Sequence, residues 1–220
     1  SGSGWAMPQR WQALYQYLRD KGYNQQELDA SGLFKRSQSG RIYCLFWKRV
    51  MTPIFDLRGN IIAFGGRVMD DSKPKYVNSP ETLVYHKSET VFAMQIAKRS
   101  ASRRFVLCEG YMDVISMQQA GIDTAVCACG TALTPGQVRI ISEYADEVIL
   151  SYDSDEAGQK ATLRSLELFR NSPVKVGVCR FPAQRTQTNT SKNTARSAFR
   201  HFWMGWAMRW TSGSSAARPV

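Results

Sequence analysis

Apolar residues recur at three- and four-residue spacing early in the chain, where Trp11, Leu14, Tyr15 and Leu18 predict a helix over residues 8–21 that Gly22 stops. Residues 25–31 predict a second, short helix. From Arg41 the spacing shortens to that of strands, and residues 42–46, 50–55 and 61–67 each read as one. Arg58-Gly59-Asn60 between two apolar runs is a hairpin signal. Residues 73–82 are rich in Pro, Ser and Asn and read as an ordered loop, and residues 89–99 as a helix. A regular alternation follows. Strands are expected over 105–108, 124–127 and 148–152, and helices over 111–119, 135–144 and 156–169, the second capped by Thr134. Strand–helix alternation at this spacing predicts a parallel sheet with right-handed crossovers. The expected fold is therefore an α+β N-terminal subdomain followed by a small α/β unit.

Composition adds limits. With 220 residues and 43% hydrophobic content, the chain can bury one substantial core or two adjoining ones. No apolar run is long enough to span a bilayer, and no leader pattern opens the sequence, so a cytoplasmic protein without a membrane partner is expected. Five cysteines without a CxxC pair, and only two histidines, speak against a structural zinc site. The net charge of +11 suggests nucleic acid, but residues 1–167 hold 20 basic and 18 acidic side chains. After Glu167 there are nine Lys or Arg and no acid, so the basicity belongs to the end of the chain.

Candidate chemistry sits at predicted strand ends. Glu109 closes one strand with Asp113 a helical turn later, and Asp153 and Asp155 close another. Ligands of open α/β sheets bind beyond the carboxyl ends of the strands. Carboxylates converging there could hold Mg²⁺, a hard cation that prefers oxygen. By spacing alone, each Asp could equally be a helix N-cap.

Three stretches make the pattern specific. Cys108-Glu109-Gly110-Tyr111-Met112-Asp113-Val114, Gly130-Thr131-Ala132-Leu133-Thr134 and Tyr152-Asp153-Ser154-Asp155-Glu156-Ala157-Gly158 resemble, in order and spacing, the Toprim domain of bacterial DnaG-type primases. Upstream, Phe64-Gly65-Gly66-Arg67, then Pro74-Lys75-Tyr76-Val77-Asn78-Ser79-Pro80-Glu81-Thr82 and His86-Lys87, resemble the basic half of the same catalytic core. The resemblance covers residues 8–176 and implies a first subdomain over 1–99 and a truncated Toprim domain over 100–176. It implies an enzyme that makes RNA primers from ribonucleoside triphosphates on a single-stranded DNA template, with Mg²⁺ or Mn²⁺. Glu109, Asp153 and Asp155 would be metal-binding acids supported by Asp113, and Arg67, Lys75, Tyr76, Asn78 and Lys87 would line the nucleotide and template groove. The family's zinc-binding domain, and the domain through which it meets a replicative helicase, are not in this sequence. Another Toprim enzyme such as a nuclease, or a non-catalytic remnant, are the alternatives.

Two departures stand out. Where the family reads Tyr-Asp-Arg-Phe-Arg-x-Arg-Val, this chain has Tyr43-Cys44-Leu45-Phe46-Trp47-Lys48-Arg49-Val50, which lacks the acid and two of the arginines. Past Val176 the family's Lys-Asp-Pro-Asp-Glu segment, with further acids for the metal site, is missing from the frame. Reading the codons of Gln184 to Phe199 from their third bases allows KDPDEYIKKYGPERF, and Trp203, Met204, Trp206, Met208 and Trp210, whose codon endings are fixed, dictate Asp, Gly, Gly, Ala and Asp inside a string readable as ALLDGLGNAMD. Residues 177–220 therefore read as an out-of-frame tail, expected to be disordered or poorly packed. A basic, aromatic tail gripping single-stranded DNA is the rival reading.

Overall fold

The structure is a computed structural model that describes residues 11–130 and 132–179. The tail reading falls on residues 180–220 and lies outside the described residues, apart from Gly177 to Cys179.

The chain opens with helix α1 (Trp11–Asp20) and helix α2 (Gln25–Ala30), the latter closed by a reciprocal cap between Asn24 and Glu27. Leu14, Tyr15 and Leu18 of α1 lie against a small core of Leu28, Phe34, Cys44 and Phe46. A two-stranded ribbon completes this part: β1 (Phe34–Arg36), which the sequence pattern does not signal, and β2 (Ile42–Cys44). An antiparallel sheet of β3 (Arg49–Phe55), β4 (Ile61–Val68) and β5 (Tyr76–Asn78) follows, in that order. The hairpin at Arg58-Gly59-Asn60 forms as expected. Asp56 accepts the backbone N–H groups of Arg58 and Asn60, and Gly59 takes a φ of 95° that other residues resist. Strand β5 corrects the loop expectation, since Asn78, Val77 and Tyr76 pair in register with Gly65, Gly66 and Arg67.

The helix expected over 89–99 is also corrected. A 3-10 turn (Lys87–Glu89) leads into β6 (Val91–Phe92), and only Met94–Ala97 is helical, as α3. Ala93 between them has a φ of 65°, which breaks any continuous helix.

The alternation beyond matches closely. Strands β7 (Arg104–Cys108), β8 (Ala125–Ala128), β9 (Glu147–Ser151) and β10 (Lys175–Val178) run parallel, with α4 (Tyr111–Gln119), α5 (Pro135–Tyr144) and α6 (Glu156–Phe169) as crossovers. The sheet order is β10-β9-β7-β8-β6, with β6 antiparallel at one edge. The central strands are apolar between their ends because both faces are covered. One face packs with Val114, Met117 and Tyr111 of α4, and the other with Val138, Ile141 and Phe169. Thr134 caps α5 by accepting the Gln137 N–H.

Among the described residues, no helix is long and apolar enough to cross a membrane.

Candidate active site

Strands β7 and β9 are neighbours in parallel register, with Cys108 opposite Ser151, so the residues after them emerge at one edge of the sheet. Glu109 follows Cys108 directly, and its carboxylate accepts the backbone N–H of Asp153 at 3.2 Å. Gly110 is the N-cap of α4, and its N–H donates to Asp113 at 3.1 Å, which turns that carboxylate back over the helix N-terminus. Burial raises the Asp113 carboxyl above the usual carboxylate range; the Gly110 N–H opposes this and the charge of Asp153 adds to it. None of Glu109, Asp113, Asp153 and Asp155 forms an ion pair with a described residue. Among the described residues no cation pairs with these acids.

Asp155 sits differently. Its carboxylate accepts the Gly158 N–H at 2.8 Å and caps α6, the cap role that spacing left open. Gly158 is buried, and a Cβ there would run into the Asp153 carbonyl. The turn between β9 and α6 is thus folded tightly on itself. Among the described residues, no three His, Cys, Asp or Glu side chains are gathered into a group that could hold a metal ion. Glu109, Asp113 and Asp153 share an edge; they do not form a closed ligand set.

The expected cations lie on the other subdomain. Arg67 faces Tyr76 across β4 and β5, with its guanidinium carbon 5.7 Å from the ring centroid. Its Nε is buried without a hydrogen-bond partner among the described residues. Lys75 is exposed, and the Arg49 guanidinium holds its strand by donating to the carbonyls of Pro74 (2.8 Å) and Lys75 (3.3 Å). Sequence reasoning gave Arg49 no role, because a clamp onto backbone carbonyls leaves no residue pattern. Lys87 is half-buried in its 3-10 turn, which is fixed by Gln137 donating to the Lys87 carbonyl at 2.8 Å and by Glu81 accepting the Lys87 N–H at 3.0 Å.

Asn78 is not free in the groove. Its carboxamide oxygen accepts the Tyr111 hydroxyl and its Nδ2 donates to the Cys129 carbonyl at 3.3 Å. Gly65 and Gly66 lie inside β4, not in a turn. A Cβ on Gly65 would stand 3.1 Å from the Tyr111 ring, and one on Gly66 would stand 2.7 Å from Phe46. A cavity of about 300 Å³ between the β3–β4 hairpin and α5 is lined by Phe55, Arg58, Glu89 and Ile140 among others, and includes none of the expected site residues.

The parallel sheet carries Glu109 and Asp153 beyond adjacent strand ends and Asp113 as a third acid on α4, and the unit is of the Toprim type. Residues 106–190 match a family described as Toprim-like. Residues 2–98 match the DNA primase catalytic core, N-terminal domain. The chain belongs to the bacterial DNA primase family. It is 38% identical over 190 residues to the DNA primase of Clostridium acetobutylicum, covering 86% of this chain and 32% of that protein. The chain thus spans about a third of the curated relatives it matches. It superposes on the E. coli primase catalytic core with a TM-score of 0.69 and 31% identity, covering 88% of this chain and 67% of that one. A DnaG primase catalytic domain bound to single-stranded DNA gives a TM-score of 0.71 and 33% identity, covering 83% and 62%.

Proposed function

We propose that this chain carries the catalytic core of a primase, which joins ribonucleotides on a single-stranded DNA template. The observation that supports the reading is the uncompensated edge of Glu109, Asp113 and Asp153, with the basic strand pair of Arg67 and Lys75 docked to the same unit through Asn78. A related catalytic domain solved with single-stranded DNA supports the choice of template.

The acids fit a hard divalent cation by donor type and by charge, since each is an oxygen ligand without an ionic partner among the described residues. Mg²⁺ or Mn²⁺ held by Glu109 and Asp153, with Asp113 in support, would neutralise charge on the attacking and leaving oxygens of a phosphoryl transfer. The chain's own residues do the rest. Lys75 and Lys87 place positive charge for triphosphate and template phosphates, and the Arg67–Tyr76 pair offers a flat, charged face to a nucleotide. Asp155 holds the N-terminus of α6 and so fixes where Asp153 stands.

The test is ribonucleotide incorporation on single-stranded DNA with Mg²⁺ or Mn²⁺, run on this chain and on a version with the frame after Gly177 restored. The restored chain should prime, and this chain should prime weakly, because acids of the missing segment would help to hold the ions. Glu109→Gln and Asp153→Asn should abolish priming in the restored chain. Unchanged incorporation in both variants, or none in the restored chain, sinks the reading.

A further inference from the structure

Tyr111 joins the two halves of this molecule at a point where neither half is complete alone. It is the first residue of α4 and is 7% exposed. Its ring lies 5.4 Å from Phe92 and 6.3 Å, edge-on, from Tyr76, and it covers the bare backbone of Gly65. Its hydroxyl donates to Asn78, the residue opposite Gly65 in β5. Asn78 in turn donates to the Cys129 carbonyl just beyond β8 and lies so close to Gly130 that no Cβ fits there. Tyr111 and Asp113 both belong to the first turn of α4, so a rotation of that turn moves both. The Arg67–Tyr76 strand pair and the carboxylate edge are therefore tied through one polar link, hydroxyl to carboxamide to carbonyl.

We propose that Tyr111 is a positioning residue that couples cation binding at Glu109, Asp113 and Asp153 to nucleotide binding on the Arg67, Lys75 and Tyr76 strands, acting through Asn78. This rests on the site reading given above. The link sets the separation between triphosphate and cation, so each ligand orders the surface that receives the other. Neither contact to the ligands nor the buried ring is needed for this; the hydroxyl is.

The test is calorimetric titration of the whole chain with ATP, in EDTA and in Mn²⁺. In the unsubstituted chain Mn²⁺ should tighten ATP binding. Tyr111→Phe keeps the ring and removes only the hydroxyl, so its affinity in EDTA should stay within about twofold of the unsubstituted chain while the Mn²⁺ gain falls about fivefold, the worth of one net hydrogen bond. Asn78→Ala should cut the gain by a similar factor, and Tyr111→Phe with Asn78→Ala should cut it no further, because both break the same link. A full Mn²⁺ gain in Tyr111→Phe, with or without a lowered melting temperature, marks a merely structural residue and overturns the coupling. Absence of any Mn²⁺ gain in the unsubstituted chain overturns the cation site itself, and the coupling with it.

Discussion

Replacing Gly158 with Ala tests how the β9–α6 turn holds Asp153. A Cβ at Gly158 would collide with the Asp153 carbonyl oxygen and stand 2.8 Å from its carbon and 3.1 Å from the Asp153 nitrogen. These are backbone atoms, so no flexible side chain can yield, and overpacking of this kind costs about 1–3 kcal/mol. Moving the turn also loosens the Asp155 cap on the Gly158 N–H, worth about 1 kcal/mol. Helix propensity pulls the other way, since Ala is better than Gly inside a helix by about 1 kcal/mol. The balance is a net loss of about 1–3 kcal/mol, which lowers the melting temperature by roughly 3–10 °C for a chain of this size. Gly177→Ala is the control, because among the described residues its Cβ would meet only Ile149 Cγ1, at an ordinary 4.0 Å. It should stay within about 0.5 kcal/mol of the parent. Urea unfolding of both variants measures the difference. A Gly158→Ala protein as stable as the parent, or more so, would mean that propensity wins and that α6 does not press on Asp153.

Other outcomes follow from the same geometry. Asp155→Asn keeps a good N-cap and should leave stability nearly unchanged, whereas Asp155→Ala should cost about 1 kcal/mol in urea unfolding. If Asp155 also binds the cation, Asn will weaken Mn²⁺ binding without weakening the fold. Asp113 has a carboxyl raised in the folded state, so ionising it opposes folding, and the folded state loses stability as pH rises from the ordinary Asp value through the raised one. Asp113→Asn should therefore raise the melting temperature of the metal-free chain at neutral pH and lose that advantage in acid; an equal gain at both pH values would contradict it. Finally, the coding DNA beyond Gly177, read in the shifted frame, should continue through Lys-Asp-Pro-Asp-Glu, and a stop codon across Gln184 to Phe199 would end that reading.

The second half of the fold was legible because its signals are local. Thr134 and Asp155 sit one residue before helices α5 and α6, and short apolar runs separate the crossovers, so periodicity and caps agree. Strand β5 was hidden because Tyr76, Val77 and Asn78 lie among Pro and Ser and owe their pairing to β4, not to their own propensity. The stretch Val91–Ala97 has helical apolar spacing, yet its first residues are claimed by the edge of a sheet. The acids were readable from strand ends. The engagement of Asn78 was not, since it joins residues 33 and 51 positions away, and nothing in a linear pattern reports such a contact. For the same reason nothing in the linear pattern says that Gly65 and Gly66 supply room for Tyr111 and Phe46.

The short strand Val91–Phe92 borrows its partners, Ala128 and Cys127, from a part of the chain made later. On the ribosome, the first half therefore leaves the exit tunnel with an unpaired edge and waits for β8 before that edge is closed. Gene fusion or exchange at the boundary between the two family matches, after residue 98, would leave Val91–Phe92 with the donor and take β8 away. The new host would need its own strand of matching register. The two halves are thus held to each other by two residues of shared sheet as well as by the Asn78 link.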